Sequence, residues 1–293
     1  MMDAATLTRA LGGIWRGRSG NAPCPVCQPE RRRDQRGLSL RDDGGRLLAY
    51  CHKSGCAFRD IATAAGLPPG AMAVDPHAER AAEVLRAKED AQREGRAKAL
   101  WGDAETVAIH GTLAETYLRG RGISCALPLT LRFQAMGWHP NGYRFPMMLA
   151  RVDGGARFAV HRTYLATDGT GKAPIDPAKA MLGPCAGGAV RLSEAEGPLV
   201  VCEGIETGLS LLCGLLRAPA TVWAALSTSG IRGLQLPPQP GRLTVAADGD
   251  KPGKDAALAL AMRAEALGWR VSLLPAPEGR DWNDILALKG GAA

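Results

Sequence analysis

Residues 199–204, LVVCEG, and residues 243–253, LTVAADGDKPG, decide the fold of this chain. Each stretch opens with a short apolar run, which predicts a buried strand of a parallel sheet. Helical patterns follow them, over 206–217 and 254–267. The two stretches therefore predict strand-to-helix units of a doubly wound α/β sheet.

Acidic residues follow both predicted strands directly: Glu203 after the first, Asp248 and Asp250 after the second. Because ligands of such sheets lie beyond the carboxyl ends of the strands, we expect the three carboxylates to meet in one crevice. They would repel one another without a cation between them, and open sites of hard oxygen ligands favour Mg²⁺ or Mn²⁺. The alternative, that all three are helix caps and turn residues, explains neither their pairing nor the Asp-Gly-Asp spacing.

Two further apolar runs, over 222–226 and 271–274, predict additional strands of the same sheet. Asp281 and Asp284 lie beyond the second of these runs. Asp281 is a candidate accessory metal ligand, whereas Asp284 is the expected cap of the final helix.

The chain has 293 residues, 46% of them hydrophobic, and a formal net charge of +7. That length accommodates one large or two modest globular domains, and the basic excess suggests a polyanionic partner. No apolar run approaches the length of a membrane span, and the N-terminus has no signal-peptide core. We therefore expect a cytoplasmic protein whose eight cysteines stay reduced.

Two cysteine pairs, Cys24 with Cys27 and Cys51 with Cys56, predict a structural zinc ribbon. The spacing within the second pair is wider than usual, so His52 competes with Cys51 as the third ligand; we favour the four cysteines. Zinc would close a unit that is expected to be too thin for an apolar core of its own.

These motifs carry a family resemblance. The Glu203-Gly204 turn and the run from Asp248 to Gly253 resemble the two acidic motifs of the Toprim domain, which occurs in bacterial- and phage-type DNA primases, topoisomerases and some nucleases. The cysteine pairs, followed by a short predicted helix, resemble the zinc-binding domain of those primases. The resemblance covers about residues 20–66 and 155–285. It implies a zinc-ribbon template-binding domain over 1–66, the N-terminal part of a primase core over 126–198 and a Rossmann-like, mostly parallel Toprim catalytic domain over 199–293. Between them, the Ala-, Glu-, Arg- and Lys-rich composition predicts a helical connector over 67–125.

The same resemblance implies a DNA primase, a DNA-directed RNA polymerase that joins nucleoside triphosphates into short primers on single-stranded DNA with Mg²⁺ or Mn²⁺. In such primases a basic segment ahead of the Toprim domain carries a lysine near the incoming nucleotide. Lys172 is similar to that residue, and Lys179 and Arg162 would line the same groove; the alternative is that they are solvated loop residues. Thr207 stands where many Toprim primases have an acid.

Arginines cluster between the cysteine pairs, and their guanidinium groups match phosphate geometry. This segment is either a solvated face or a DNA-contacting loop, with the candidate contacts Arg31, Arg32, Arg33, Arg36 and Lys53.

Other functions share these motifs. A Toprim nuclease, or a non-catalytic zinc-ribbon DNA-binding or initiation factor, are the alternatives to a primase. A topoisomerase is disfavoured because all four tyrosines precede the Toprim motifs. Since no segment has the spacing of an ATP-binding Walker motif, a replicative helicase is expected only as a partner in trans. A phage, plasmid or other mobile-element setting suits such a primase.

Overall fold

The computed structural model describes residues 3–32, 34–43, 46–67 and 76–290. The chain divides into two compact units, Met1–Glu89 and Asp90–Ala293. None of the helices in the described part combines the length and the apolar character that crossing a membrane would need.

The first unit is built on a small antiparallel sheet flanked by short helices. Its elements are α1 (Ala4–Ala10), β1 (Ile14–Trp15), β2 (Gly20–Ala22), β3 (Leu38–Asp43), β4 (Arg46–Cys51) and α2 (Phe58–Ala64). The strands pair in the order β1-β2-β3-β4, every pair antiparallel. β3 and β4 form a hairpin, and Gly44 and Gly45 between them lie outside the described residues.

This unit does have an apolar core, so the expectation that it would be too thin for one was wrong. Leu7 and Leu11 of α1 are buried against Leu38 and Leu40 of β3 and against Ile61 of α2. The helix ahead of the first cysteine pair supplies the apolar side chains that cover the buried leucines of the ribbon strands.

A long helix, α3 (Pro76–Trp101), follows and continues into the second unit. It matches the helix expected from the Ala-, Glu-, Arg- and Lys-rich composition of this segment.

The second unit begins with an antiparallel sheet. Its elements are β5 (Thr106–Ala108), α4 (Leu113–Gly120), β6 (Leu131–Trp138), β7 (Arg144–Val152), β8 (Ala159–Tyr164) and β9 (Lys179–Leu182), and the strands pair in sequential order. Successive side chains of a strand point to opposite faces. One face, with Met148, Ala150 and Leu165, joins the largest apolar core; the other, with Met147 and Tyr164, forms a smaller cluster.

A mostly parallel sheet completes this unit. Its elements are β10 (Val190–Ser193), β11 (Leu199–Cys202), α5 (Ile205–Ser210), β12 (Thr221–Ala224), α6 (Thr228–Gly233), β13 (Arg242–Ala246), α7 (Lys251–Ala266), β14 (Arg270–Leu273) and α8 (Trp282–Gly290). The strand order is β10-β12-β11-β13-β14, in which only the edge strand β10 pairs antiparallel. The predicted α/β fold class is confirmed. The predicted first helix is shorter than expected, since α5 passes into a π-helical turn at Leu211–Leu215.

Candidate active site and zinc site

The two central strands of the parallel sheet place the acidic motifs side by side. β11 and β13 pair in parallel, with Cys202 opposite Ala246. Glu203 follows β11 at once and Asp248 comes two residues after β13, so both emerge at the same edge of the sheet. This is the edge at which α/β sheets bind ligands.

The carboxylates at this edge act on one another electrostatically. Burial and the nearby Asp250 raise the pKa of Glu203. Burial, and then the charges of Glu203, Asp281 and Asp250, raise the pKa of Asp248 to about 7. The structure thus places the four acids proposed as metal ligands within electrostatic reach of one another, although no three of their carboxylates lie within 4.8 Å of one another.

Asp248 shows most directly that this cluster fits a cation. Its Oδ1 atom is buried and has no hydrogen-bond partner within the described residues. A buried carboxylate oxygen without a partner is costly, and a divalent cation would satisfy it. Hard carboxylate oxygens are the ligands that Mg²⁺ and Mn²⁺ prefer, and Mg²⁺ usually keeps several waters and takes only one or two carboxylates from the protein. The residues present therefore fit such an ion.

Two of the acids also cap helices. Asp250 Oδ1 accepts a hydrogen bond from the Gly253 N–H (2.8 Å) and begins α7. Asp281 Oδ1 accepts from the N–H groups of Asn283 and Asp284 (2.8 Å each) and begins α8. The expectation that Asp284 caps this helix was wrong. Asp284 instead lies at the third helical position, where its Oδ2 accepts from the Asp281 N–H (3.0 Å) in a reciprocal capping box.

Gly249 explains why the acidic motif reads Asp-Gly-Asp. Its N–H donates to the Arg280 carbonyl oxygen (2.8 Å). A Cβ atom at this position would lie 1.9 Å from the Pro277 carbonyl oxygen. Only glycine allows the loop that precedes Asp281 to come this close to Asp248.

The two predicted lysines meet at a residue that the sequence analysis did not assign. Lys172 Nζ lies 3.2 Å from Glu206 Oε1, and Lys179 Nζ lies 3.6 Å from Glu206 Oε2. Glu206 sits in the first turn of α5, next to the buried Thr207. The signal that could have revealed it is an acid at an otherwise apolar helix start, three residues after Glu203.

Arg162 does not join the two lysines. Thr163 is the cross-strand partner of Lys179, so these two side chains share a face of the sheet and Arg162 points to the other. Its guanidinium donates to the carbonyl oxygens of Trp138 (3.4 Å) and Met181 (3.3 Å). The expectation of one groove for all three cations was wrong in this respect.

The zinc-site cysteines converge in the first unit. Ligand atoms of Cys24, Cys27, Cys51 and Cys56 all lie within 4.8 Å of one another, the one group of metal-ligating side chains this tight among the described residues. The Cys27 and Cys51 sulfurs are 3.6 Å apart, close to the roughly 3.8 Å that tetrahedral Zn–S bonds of about 2.3 Å require. The four thiols therefore fit a structural zinc ion.

The surroundings of these thiols shift their pKa values in opposite directions. Burial opposes ionisation of Cys51, but backbone N–H groups, that of Ser54 first, lower its pKa to about 6. Burial raises the pKa of Cys56 to about 12. His52 stays outside the cluster, with its Nε2 2.9 Å from Ser39 Oγ.

The predicted DNA contacts of this unit are mostly exposed. Arg31, Arg32 and Lys53 lie in solvent, and Arg32 forms only a 3.7 Å exposed ion pair with Asp34. Arg36 is half-buried and donates to the Gln35 carbonyl oxygen (2.7 Å). The position of Arg33 lies outside the described residues.

Comparison with known proteins agrees with the acidic motifs. Residues 198–292 match the Toprim domain family, and residues 91–192 match a domain of unknown function, DUF7146. No curated protein sequence matches the chain.

Solved structures that are similar to the chain include three from primases. A DNA primase domain from Pseudomonas aeruginosa shares 20% identity over 68% of this chain and 73% of its own (TM-score 0.38). The zinc-binding and RNA polymerase domains of Aquifex aeolicus primase share 14% sequence identity with the chain, over 100% of this chain and 83% of the primase chain (TM-score 0.43). The primase fragment of the bacteriophage T7 primase-helicase protein shares 14% over 96% of each chain (TM-score 0.31).

The protein thus carries a Toprim domain, as its acidic motifs predicted. A four-cysteine cluster of the zinc-ribbon type lies ahead of it in the chain.

Proposed function

We propose that this protein is a DNA primase that synthesises short RNA primers on single-stranded DNA. The observation that carries the proposal is Asp248, whose buried, unpaired oxygen lies among the charges of Glu203, Asp250 and Asp281 at the ligand-binding edge of a Toprim sheet. A cation-binding acidic centre with basic residues beside it suits the transfer of a nucleotide from a triphosphate.

The acids would hold Mg²⁺ or Mn²⁺ through Glu203, Asp248 and Asp250, with Asp281 as an accessory ligand. When bound, such an ion neutralises phosphate charge and lowers the pKa of the attacking 3′-hydroxyl. The raised pKa of Glu203 suits its carboxylate to accept a proton from that hydroxyl.

Basic residues would hold the two substrates. Lys172 and Lys179 lie beside the acidic centre, since the charge of Lys179 acts on both Glu203 and Asp248. These lysines would bind the triphosphate. The zinc ribbon would grip the template through Arg31, Arg32, Arg33, Arg36 and Lys53, and a replicative helicase would act in trans.

Primer synthesis on single-stranded DNA with labelled ribonucleotides and Mg²⁺ or Mn²⁺ tests this proposal. We expect new oligoribonucleotides from the wild type and none from Asp248→Asn or Asp250→Asn, with DNA binding retained in both variants. Asp255→Asn is the matched control, because Asp255 lies on α7 but pairs only with Lys251 in solvent. Degraded template would identify a nuclease instead, and DNA binding without either product would identify a non-catalytic factor.

A further inference from the structure

Glu206 is a buried acid with three polar partners from three different parts of the second unit. It is 6% exposed. The Tyr117 hydroxyl of α4 donates to its Oε1 (2.7 Å). Lys172, in the loop before β9, and Lys179, on β9 itself, approach its two oxygens. Burial alone would raise the pKa of Glu206, but Lys179 and Lys172 hold it well below its usual value. Glu206 is therefore a carboxylate at neutral pH.

The charges around Glu206 do not balance. Arg121 acts on Lys172 and lies over the Tyr117 ring, 5.9 Å from its centroid. Two lysines thus share the one Glu206 carboxylate, with Arg121 acting on Lys172 nearby. The excess positive charge leaves this cluster able to take up an anion.

The lysines reach solvent although their ammonium groups are held at Glu206. Their side chains are 31% and 41% exposed for Lys172 and Lys179. The two ammonium groups repel each other electrostatically. Burial lowers the pKa of Lys172, and the charge of Lys179 lowers it further. Without Glu206 between them they would separate, and partly exposed lysines have solvent into which to turn.

We propose that Glu206 is a positioning residue that holds Lys172 and Lys179 together as a paired binding site for the triphosphate of the incoming nucleotide. This inference rests on the proposed function. Glu206 touches neither metal nor substrate in this role. It acts through the two lysines, which can bind phosphate oxygens with the N–H groups that Glu206 does not use.

The test is nucleotide titration of primer synthesis, together with calorimetric titration of ATP and Mg²⁺ into the full chain. Glu206→Gln removes the charge and keeps the volume. We expect its half-saturating nucleotide concentration to rise about tenfold, the effect of losing about one charge-assisted hydrogen bond, with the maximal rate changed much less. In a Lys172→Met, Lys179→Met background the same substitution should add nothing, because Glu206 then has no lysine to position.

Glu94→Gln is the matched control. Glu94 also pairs with two cations, Lys98 (2.7 Å) and Arg157 (3.0 Å), and its carboxylate is likewise shielded. It lies on α3 and contacts neither lysine of the proposed site. A change in nucleotide affinity equal to that of Glu206→Gln would show that loss of a shielded carboxylate, and not lysine positioning, is responsible.

Several outcomes would overturn the inference. Unchanged or tighter ATP binding by Glu206→Gln would do so, as would an equal effect in the lysine-free background. If Glu206→Gln unfolds, the test uses Glu206→Asp, which keeps the negative charge. Its nucleotide affinity should stay within about threefold of that of the wild type. A loss of affinity as large as that of the double lysine variant would overturn the inference. A wild-type chain that makes no primer refutes the proposed function alone, because ATP binding still reports on Glu206.

Discussion

Replacing Asp248 by asparagine should stabilise the fold while it abolishes catalysis. In the absence of Mg²⁺ and Mn²⁺, the Asp248 carboxylate has a buried oxygen without a partner and faces the charges of three other acids. Asparagine has nearly the same shape but no charge. The variant therefore removes the electrostatic cost of the metal-free site together with its capacity to bind the ion.

The size of the effect follows from the pKa of Asp248, about 7 in place of 3.8. If the whole shift acted on stability it would correspond to about 4 kcal/mol. Because Asp248 is only partly buried, solvent screening reduces this figure to about 2 kcal/mol. The folded chain keeps this proton up to about pH 7, whereas the unfolded chain loses it near pH 3.8. The contribution of Asp248 to the free energy of unfolding should therefore fall as the pH rises from about 4 to 7.

Denaturant unfolding of wild type and Asp248→Asn, at pH 5 and pH 8 in buffer with zinc alone, measures this difference. We expect the variant to be more stable than the wild type by about 1 kcal/mol or less at pH 5, where only about a third of the fall has occurred, and by about 2 kcal/mol at pH 8. Added Mg²⁺ or Mn²⁺ should stabilise the wild type alone and close the gap. The Asp255→Asn control should follow the wild type. A variant less stable than wild type at pH 8 in zinc alone, or a gap that the ions leave unchanged, would refute the assignment of Asp248 to a cation site.

Three further predictions concern other parts of the molecule. Cys51→Ser should lose the zinc ion and the unfolding transition of the first unit while that of the second unit persists, whereas Cys185→Ser, outside the cluster, should keep both; zinc release and calorimetry measure this. Burial and the nearby Lys179 lower the pKa of His161 to about 4 from 6.5, so the contribution of His161 to the free energy of unfolding should fall by up to about 3 kcal/mol as the pH drops through that range. Denaturant unfolding should show this fall as a change in the stability difference between wild type and His161→Gln. Gly249→Ala should lower the free energy of unfolding by about 1–3 kcal/mol and abolish primer synthesis, because its Cβ would meet the Pro277 carbonyl oxygen. Gly171→Ala, with open space around its Cβ, should change neither the stability nor the activity.

The sequence was sufficient to predict the parallel sheet and its acidic edge, because both depend on local patterns. Four buried residues of β11 lead directly to Glu203, and β13 leads in the same way to Asp248. Apolar runs of this length followed by helices allow few other arrangements. The cysteine cluster was predictable for a similar reason, since metal ligands recur at short, characteristic spacings.

What the sequence did not predict depends on register and on distant partners. Lys179 pairs across the sheet with Thr163 and not with Arg162, and that offset of one residue puts Arg162 on the opposite face. Glu206 gains its role from Tyr117, 89 residues away in the chain. Asp281 takes the capping role expected of Asp284 because the cap of α8 lies three residues earlier than expected, and helix ends are poorly defined by sequence alone.

The turn from β11 to α5 places Glu203 and Glu206 in opposite electrostatic environments. Burial and Asp250 raise the pKa of Glu203, whereas Lys179, Lys172 and the Tyr117 hydroxyl lower that of Glu206 against the effect of burial. Ionised Glu203 therefore needs an added cation to offset the free-energy cost of its charge. The charge of Glu206 is already offset by lysines of the protein. Lys179 acts on both residues, so it lies where the two settings meet. A metal-bound triphosphate needs both kinds of site at once: acids that lack a cation for its metal, and cations in excess of their acid for its phosphates. The turn from residue 203 to residue 206 provides both within a single helical turn, and this arrangement favours nucleotidyl transfer over a role for the domain in binding DNA alone.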